Sequence, residues 1–191
     1  MEDNSLESYR KAVEFLAKNK VDDLIFNSGD EHAAIIFSNI FSNSDYQVKI
    51  FAGNLQNAVT EKPEYISSIA GLLYRGARLE ILLDNFDDSV KKDSDLFKKL
   101  HYYEKRVSIK CTNTRFYATR VTDDGHVKDH VHFCTGDSGM YRLETDTEKR
   151  SARCNFNDSP FVEFLNGLFD ETFKTAQTVE WDSLISINES D

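Results

Sequence analysis

His130-Val131-His132-Phe133-Cys134-Thr135-Gly136-Asp137 is the stretch on which the reading of this chain turns. Val131 to Thr135 favour extended backbone, and Gly136-Asp137 is a turn signal. Residues i and i+2 of a strand project from the same face, so His130 and His132 are expected to point together toward one group. Two imidazoles side by side, with a carboxylate at the following bend, suit phosphoryl chemistry.

Outward from this stretch, the charge is unevenly spread. The chain of 191 residues has a net charge of −10, which argues against indiscriminate nucleic-acid binding. Residues 91–128, just upstream of the histidines, nevertheless carry ten Lys/Arg against five Asp/Glu, a net of +5. An anionic substrate would approach through this block, although a solvated helix face would look the same. A hydrophobic content of 40% fits a folded protein. Three cysteines (Cys111, Cys134, Cys154) do not make a disulfide framework, and no apolar run reaches the length of a membrane span. The expectation is a cytoplasmic protein with no membrane association and no cofactor.

Before the histidines, helix and strand patterns alternate. Residues 7–19 read as an amphipathic helix with Val13, Leu16 and Ala17 on its apolar side. A short strand at 24–27 precedes Ser28-Gly29-Asp30, which is expected to cap a helix through Ala33, Ala34, Phe37, Ile40 and Phe41. A strand at 46–52, a helix from Pro63 to Gly76 and the doubly covered strand Leu79–Leu83 follow. A helix over 93–105 and a strand over 107–111 complete this half, which predicts a mostly parallel sheet. Further on, 116–119, 131–134 and 140–143 read as strands joined by turns at Asp123–Gly125 and Gly136–Gly139. A last helix after Ser159-Pro160 would bury Phe161, Phe164, Leu165, Leu168 and Phe169. Its tail, 176–191, reads as frayed past Trp181. One domain is expected over 1–191, with residues 1–20 as an N-terminal helix.

The order of elements and the spacing H-x-H-x4-D resemble the phospholipase D-like superfamily, whose motif is H-x-K-x4-D followed by Gly-Ser-x-Asn. The resemblance covers roughly residues 20–175. It implies an α/β domain with a mixed, mostly parallel central sheet flanked by helices. By resemblance, His130 is the nucleophile or general acid, His132 binds phosphate in place of lysine, and Asp137 orients a histidine. Asn155, before the final helix, stands where the family's Asn would be. Ala152-Arg153-Cys154-Asn155 replaces the Gly-Ser-x-Asn segment. Arg142 and Lys128 are further candidates for holding phosphate. The family's site needs two histidine motifs. No second H-x-K lies in residues 20–90, where His32 is followed by Ala33-Ala34, so a homodimer is implied.

Two functions follow from this resemblance. The first is a degenerate, dimerising module that binds nucleic acid or a protein partner, in a bacterial defence or nucleic-acid-processing system. The alternative is an active, metal-independent phosphodiesterase working through a phosphohistidine. A metal reading also exists, because His126, His130, His132 and Cys134 fall at even spacing. Consecutive same-face residues of a strand lie about 7 Å apart, so two of these could share an ion but four could not. Each residue also has a purely structural reading: half-buried strand histidines, a turn aspartate, and an asparagine bonded to local backbone.

Overall fold

The computed structural model describes residues 2–86, 91–122, 125–137 and 139–186. In chain order the elements are α1 (Glu2–Lys18), β1 (Ile25–Asn27), α2 (Asp30–Asn43), β2 (Gln47–Ala52), α3 (Pro63–Tyr74), β3 (Arg78–Leu83) and α4 (Asp95–His101). After a 3-10 turn at Glu104–Arg106 come β4 (Val107–Cys111), β5 (Tyr117–Thr122), β6 (Gly125–His130), β7 (His132–Gly136), β8 (Met140–Asp146) and β9 (Ser151–Asn155). The chain closes with α5 (Ser159–Thr175), β10 (Gln177–Thr178) and a 3-10 turn at Trp181–Ser183.

Eight strands form one sheet in the order β1-β9-β8-β7-β2-β3-β4-β10, and β5 and β6 pair as a separate hairpin. The mixed sheet flanked by helices is therefore as expected, but parallel pairing is confined to β2, β3 and β4. The remaining pairings in the sheet are antiparallel. β1 does not join β2; it lies at the far edge beside β9. With three residues and an exposed Phe26, β1 can protect an edge but cannot fill a doubly covered interior position. β3, whose Leu79, Ile81, Leu82 and Leu83 are all buried, takes such a position.

Two apolar layers sandwich the sheet. On one side α1 to α4 pack over Val48, Ile50, Leu79, Ile81, Ile109 and Cys134. On the other, α5 covers Phe51, Leu82, Phe133, Tyr141 and Leu143 with Val162, Leu165 and Phe169. Phe164 is not in this stripe as the sequence pattern suggested; it faces solvent and stacks on Phe161. Asp158 caps α5 by accepting from the Phe161 amide, and Pro160 sits in its first turn. Ser94 caps α4 in the same way, from Phe97.

Three local expectations need correction. Ser28 does not cap α2: the N-cap is Gly29, at φ 84°, while the Ser28 hydroxyl donates to the Lys149 carbonyl, 3.1 Å away. The β1–β9 pairing brings that carbonyl within reach. The tail is held at least to Ser186, because Leu184 and Ile185 are buried and Ser186 donates from its amide and hydroxyl to Asp93. The expected helix at 93–105 breaks at Tyr102 and restarts as a 3-10 turn. Asp123 and Asp124 of one expected turn, Ser138 of the other, and the tail past Ser186 lie outside the described residues. Among the described residues, no helix is long and apolar enough to cross a membrane.

Gly136 ends β7 where the sheet meets α2. A Cβ there would stand 2.5 Å from Ser44 Oγ and 2.7 Å from Ile40 Cγ2. Gly136→Ala should therefore cost about 1–3 kcal/mol of stability through overpacking, read as a lower urea midpoint. An unchanged midpoint would show that α2 has room to move.

Candidate functional site

The histidine pair sits at one rim of the sheet. β2 and β3 run toward this rim and are followed there by Gly53 and Asp84, while the antiparallel β7 starts there with His132. His130 and His132 are not on one strand. His130 ends the β5–β6 hairpin, His132 opens β7, and Val131 between them donates its amide to the Phe116 carbonyl. Val131 is buried in the α5-side layer, His132 lines the cleft on the α2 side, and the two rings meet despite the break. The ring centroids lie 4.8 Å apart, edge to face.

Both rings meet Asp84. His130 Nε2 is 2.6 Å from Asp84 Oδ2, and His132 Nε2 is 3.6 Å from Asp84 Oδ1. The Asp84 side chain is 2% exposed, and its amide is bonded to the Ala52 carbonyl. Asp84 Oδ2 and both Nε2 atoms are shut off from solvent, and apart from these contacts with one another they have no polar partner among the described residues. Desolvation draws the pKa of His130 below the ordinary imidazole range. Asp84 opposes this fall, while His132 and Arg115 add to it. The exposed Tyr117 ring lies 5.9 Å from His130, at the outer side of the mouth.

Behind His132 a cleft of about 170 Å³ runs between the sheet and α2, lined by Phe37, Gly53, Asn85, Arg142, Glu144 and Arg150. Arg142 is only 2% exposed. Its guanidinium lies over the Phe37 ring, 3.4 Å from Glu144 and hydrogen-bonded to the Arg150 carbonyl. Arg150 also reaches Glu144, at 3.6 Å. The positive charge in this cleft is thus already paired. Lys128 is exposed on β6, opposite Thr119.

The other predicted members are elsewhere. Asp137 lies past the opposite end of β7, five residues from His132, which at about 3.4 Å per residue puts it about 17 Å away. Its carboxylate accepts from the amides of Asp45, Tyr46 and Gln47. It fastens the start of β2 and orients no histidine. Asn155 is opposite Tyr141, also at that far end, where its amide donates to Asp22 and its carbonyl oxygen accepts from the Asn157 amide. The even-spaced metal set also breaks up. His126 is exposed near the hairpin tip, and Cys134 is buried beneath α2, where desolvation pushes its thiol well above the ordinary range.

Asp84 went unnoticed in the sequence, 46 residues before His130. The available signal was its position after a continuous apolar strand, because ligands of open α/β sheets gather at the carboxyl ends of such strands. The same rule points to Gly53.

If Asp137 is a brace, Asp137→Ala should lower stability by about 2 kcal/mol, the order expected for charged hydrogen bonds to backbone amides. It should leave the His130 and His132 ring signals in an NMR spectrum unmoved. A shift of those signals at unchanged stability would restore Asp137 to the site.

No protein-family model and no curated protein matches this sequence. Solved structures do match. Nuc, a phospholipase D family member from Salmonella typhimurium, superposes with a TM-score of 0.59 at 8% identity, over 84% of this chain and 99% of Nuc. NucT from Helicobacter pylori gives 0.58 at 10% identity, over 83% and 100%. TrmBL2, an archaeal chromatin protein, gives 0.51 at 16% identity, over 93% of this chain and 65% of its own. Order of elements, mixed sheet and flanking helices agree with these likenesses, and the chain has the phospholipase D-like fold.

Proposed function

We propose that this chain binds phosphodiesters, nucleic acid above all, without turning them over through a phosphohistidine. The observation that carries this is the Asp84 carboxylate against both imidazoles. A phosphohistidine mechanism needs a fixed cation beside the attacked phosphate, and the resemblance puts a lysine there. At this position stands His132, facing Asp84. Two like unit charges 4 Å apart repel by about 4 kcal/mol at an effective dielectric near 20, about a thousandfold in binding. Phosphate in bare contact with His130 is disfavoured by that order.

Binding at the outer mouth avoids this penalty. Arg115 lies close enough to act on His130, Lys128 projects from the same hairpin, and the exposed Tyr117 offers a ring for base stacking. Part of the basic block is spent elsewhere: Arg106 donates to the Leu73 carbonyl, Lys110 to Phe173 and Lys92 to Asp182. The binding surface is therefore the hairpin rather than the whole block. Two of the structural neighbours support the substrate class by what their names state, one a phospholipase D family member and the other described with a mode of DNA binding. The active reading would require a second copy to supply a facing histidine motif, since the other histidines of the chain are His32, His101 and His126.

Fluorescence anisotropy with labelled single- and double-stranded oligonucleotides, over a salt series and in chelator, tests the proposal. Binding should weaken with salt. Arg115→Glu with Lys128→Glu should reduce affinity at least tenfold and lower the salt slope by about one for each cation removed. Absence of binding at low salt would overturn the binding reading. Metal-free hydrolysis of a chromogenic phosphodiester that disappears in His130→Ala would establish the phosphohistidine alternative instead.

A further inference from the structure

We propose that Asp84, His130 and His132 together hold one divalent transition-metal ion of the zinc class, and that this ion supplies the charge the missing lysine would have carried. Only the second clause rests on the phosphodiester-binding reading. The ligand set itself is read from geometry. One donor atom from each of the three side chains lies within 4.8 Å of the others. Two of the separations are 2.6 and 3.6 Å. A tetrahedral ion with bonds of about 2.1 Å spaces its ligand atoms about 3.4 Å apart, so small side-chain rotations suffice.

An independent observation points the same way. Asp84 Oδ2 and the Nε2 atoms of both histidines are withdrawn from solvent, and among the described residues their only polar neighbours are one another. Buried polar atoms are nearly always satisfied, and three donor atoms that converge with only one another for partners is a condition a shared cation relieves. Two imidazole nitrogens and a carboxylate oxygen suit zinc and its neighbours in the first row, and make a poor site for calcium or magnesium. Asp84 is 98% buried at its side chain and anchored through its amide to β2, so one ligand is rigid. His132 lines the cleft that runs toward Asn85 and Arg142, and His130 is partly open to the mouth. A fourth position therefore faces space in which a water or a phosphate oxygen fits.

The replacement of lysine gains a physical sense from this. An ammonium repels a metal ion, whereas neutral imidazole ligates one. With His at 132 the mouth presents three ligands, and the ion bound by them offsets the Asp84 charge that otherwise repels phosphate. This set differs from the evenly spaced histidines of the sequence pattern: it keeps His130 and His132, drops His126 and Cys134, and adds a carboxylate from β3.

The test uses the full chain after chelator treatment. Co²⁺ should bind at one ion per chain with the visible bands of a low-coordinate nitrogen and oxygen site, and Zn²⁺ should displace it. Zn²⁺ should also raise the unfolding temperature. Asp84→Asn, His130→Gln and His132→Gln should each weaken Co²⁺ uptake at least tenfold, and His126→Gln should leave it unchanged. His132→Lys should abolish uptake. If these variants fail to fold, the unaltered chain still decides: Zn²⁺ must shift the NMR ring signals of His130 and His132 and spare those of His32, His101 and His126. No uptake of either ion, uptake that survives the ligand variants, or shifts confined to other histidines would overturn the metal site. Oligonucleotide binding in chelator is read separately, so loss of one result leaves the other standing.

Discussion

A carboxylate buried between two imidazoles, Asp84 against His130 and His132, is the constraint on which the site depends. A lone buried carboxylate costs several kcal/mol, so its position has to be enforced by the rest of the fold. The enforcement comes from topology. β3 is covered on both faces, which leaves its carboxyl end as the place where a polar side chain can emerge. β7 runs antiparallel to β2 and so begins at the same rim. The β5–β6 hairpin then folds over and delivers His130 from the outside. Three separate elements thus meet at one carboxylate.

The stretch that looks like a single motif works at two ends. His132 and Asp137 bracket β7, and a strand of that length places them on opposite rims of the sheet. At one rim is chemistry; at the other, Asp137 ties down the amides of Asp45, Tyr46 and Gln47, and Asn155 braces Asp22. Arg142 lies between, its charge paired with Glu144 beneath α2. A spacing rule in sequence cannot tell a carboxylate that orients a ring from one that caps a neighbouring strand. Hydrogen-bond partners can.

Much of the framework was legible because it follows from local patterning. Pro63 opening α3 and the apolar run of β3 both rest on helix and strand periodicity. What escaped depended on long-range pairing. β1 looked like the first strand of a parallel series, but its pairing with β9 is settled by residues some 125 positions away. The hydroxyl of Ser28 is engaged by the carbonyl of Lys149, 121 positions away, and Gly29 is left as the N-cap. Phe164 fits the apolar stripe of α5 as well as Val162 does, and only packing against Tyr141 and Leu143 selects between them. Asp84 escaped for a related reason: it carries no motif of its own and becomes informative only once β3 is placed beside β2, and β2 beside β7.

The central claim is that Asp84 and His130 are energetically one unit. A double-mutant cycle on folding stability, with Asp84→Asn, His130→Gln and both together, measures this directly in chelator-treated protein. The coupling should be about 1–3 kcal/mol, with the double variant less destabilised than the sum of the singles, because removing either partner alone leaves the other buried without it. Additive effects, with coupling below about 0.5 kcal/mol, would contradict it.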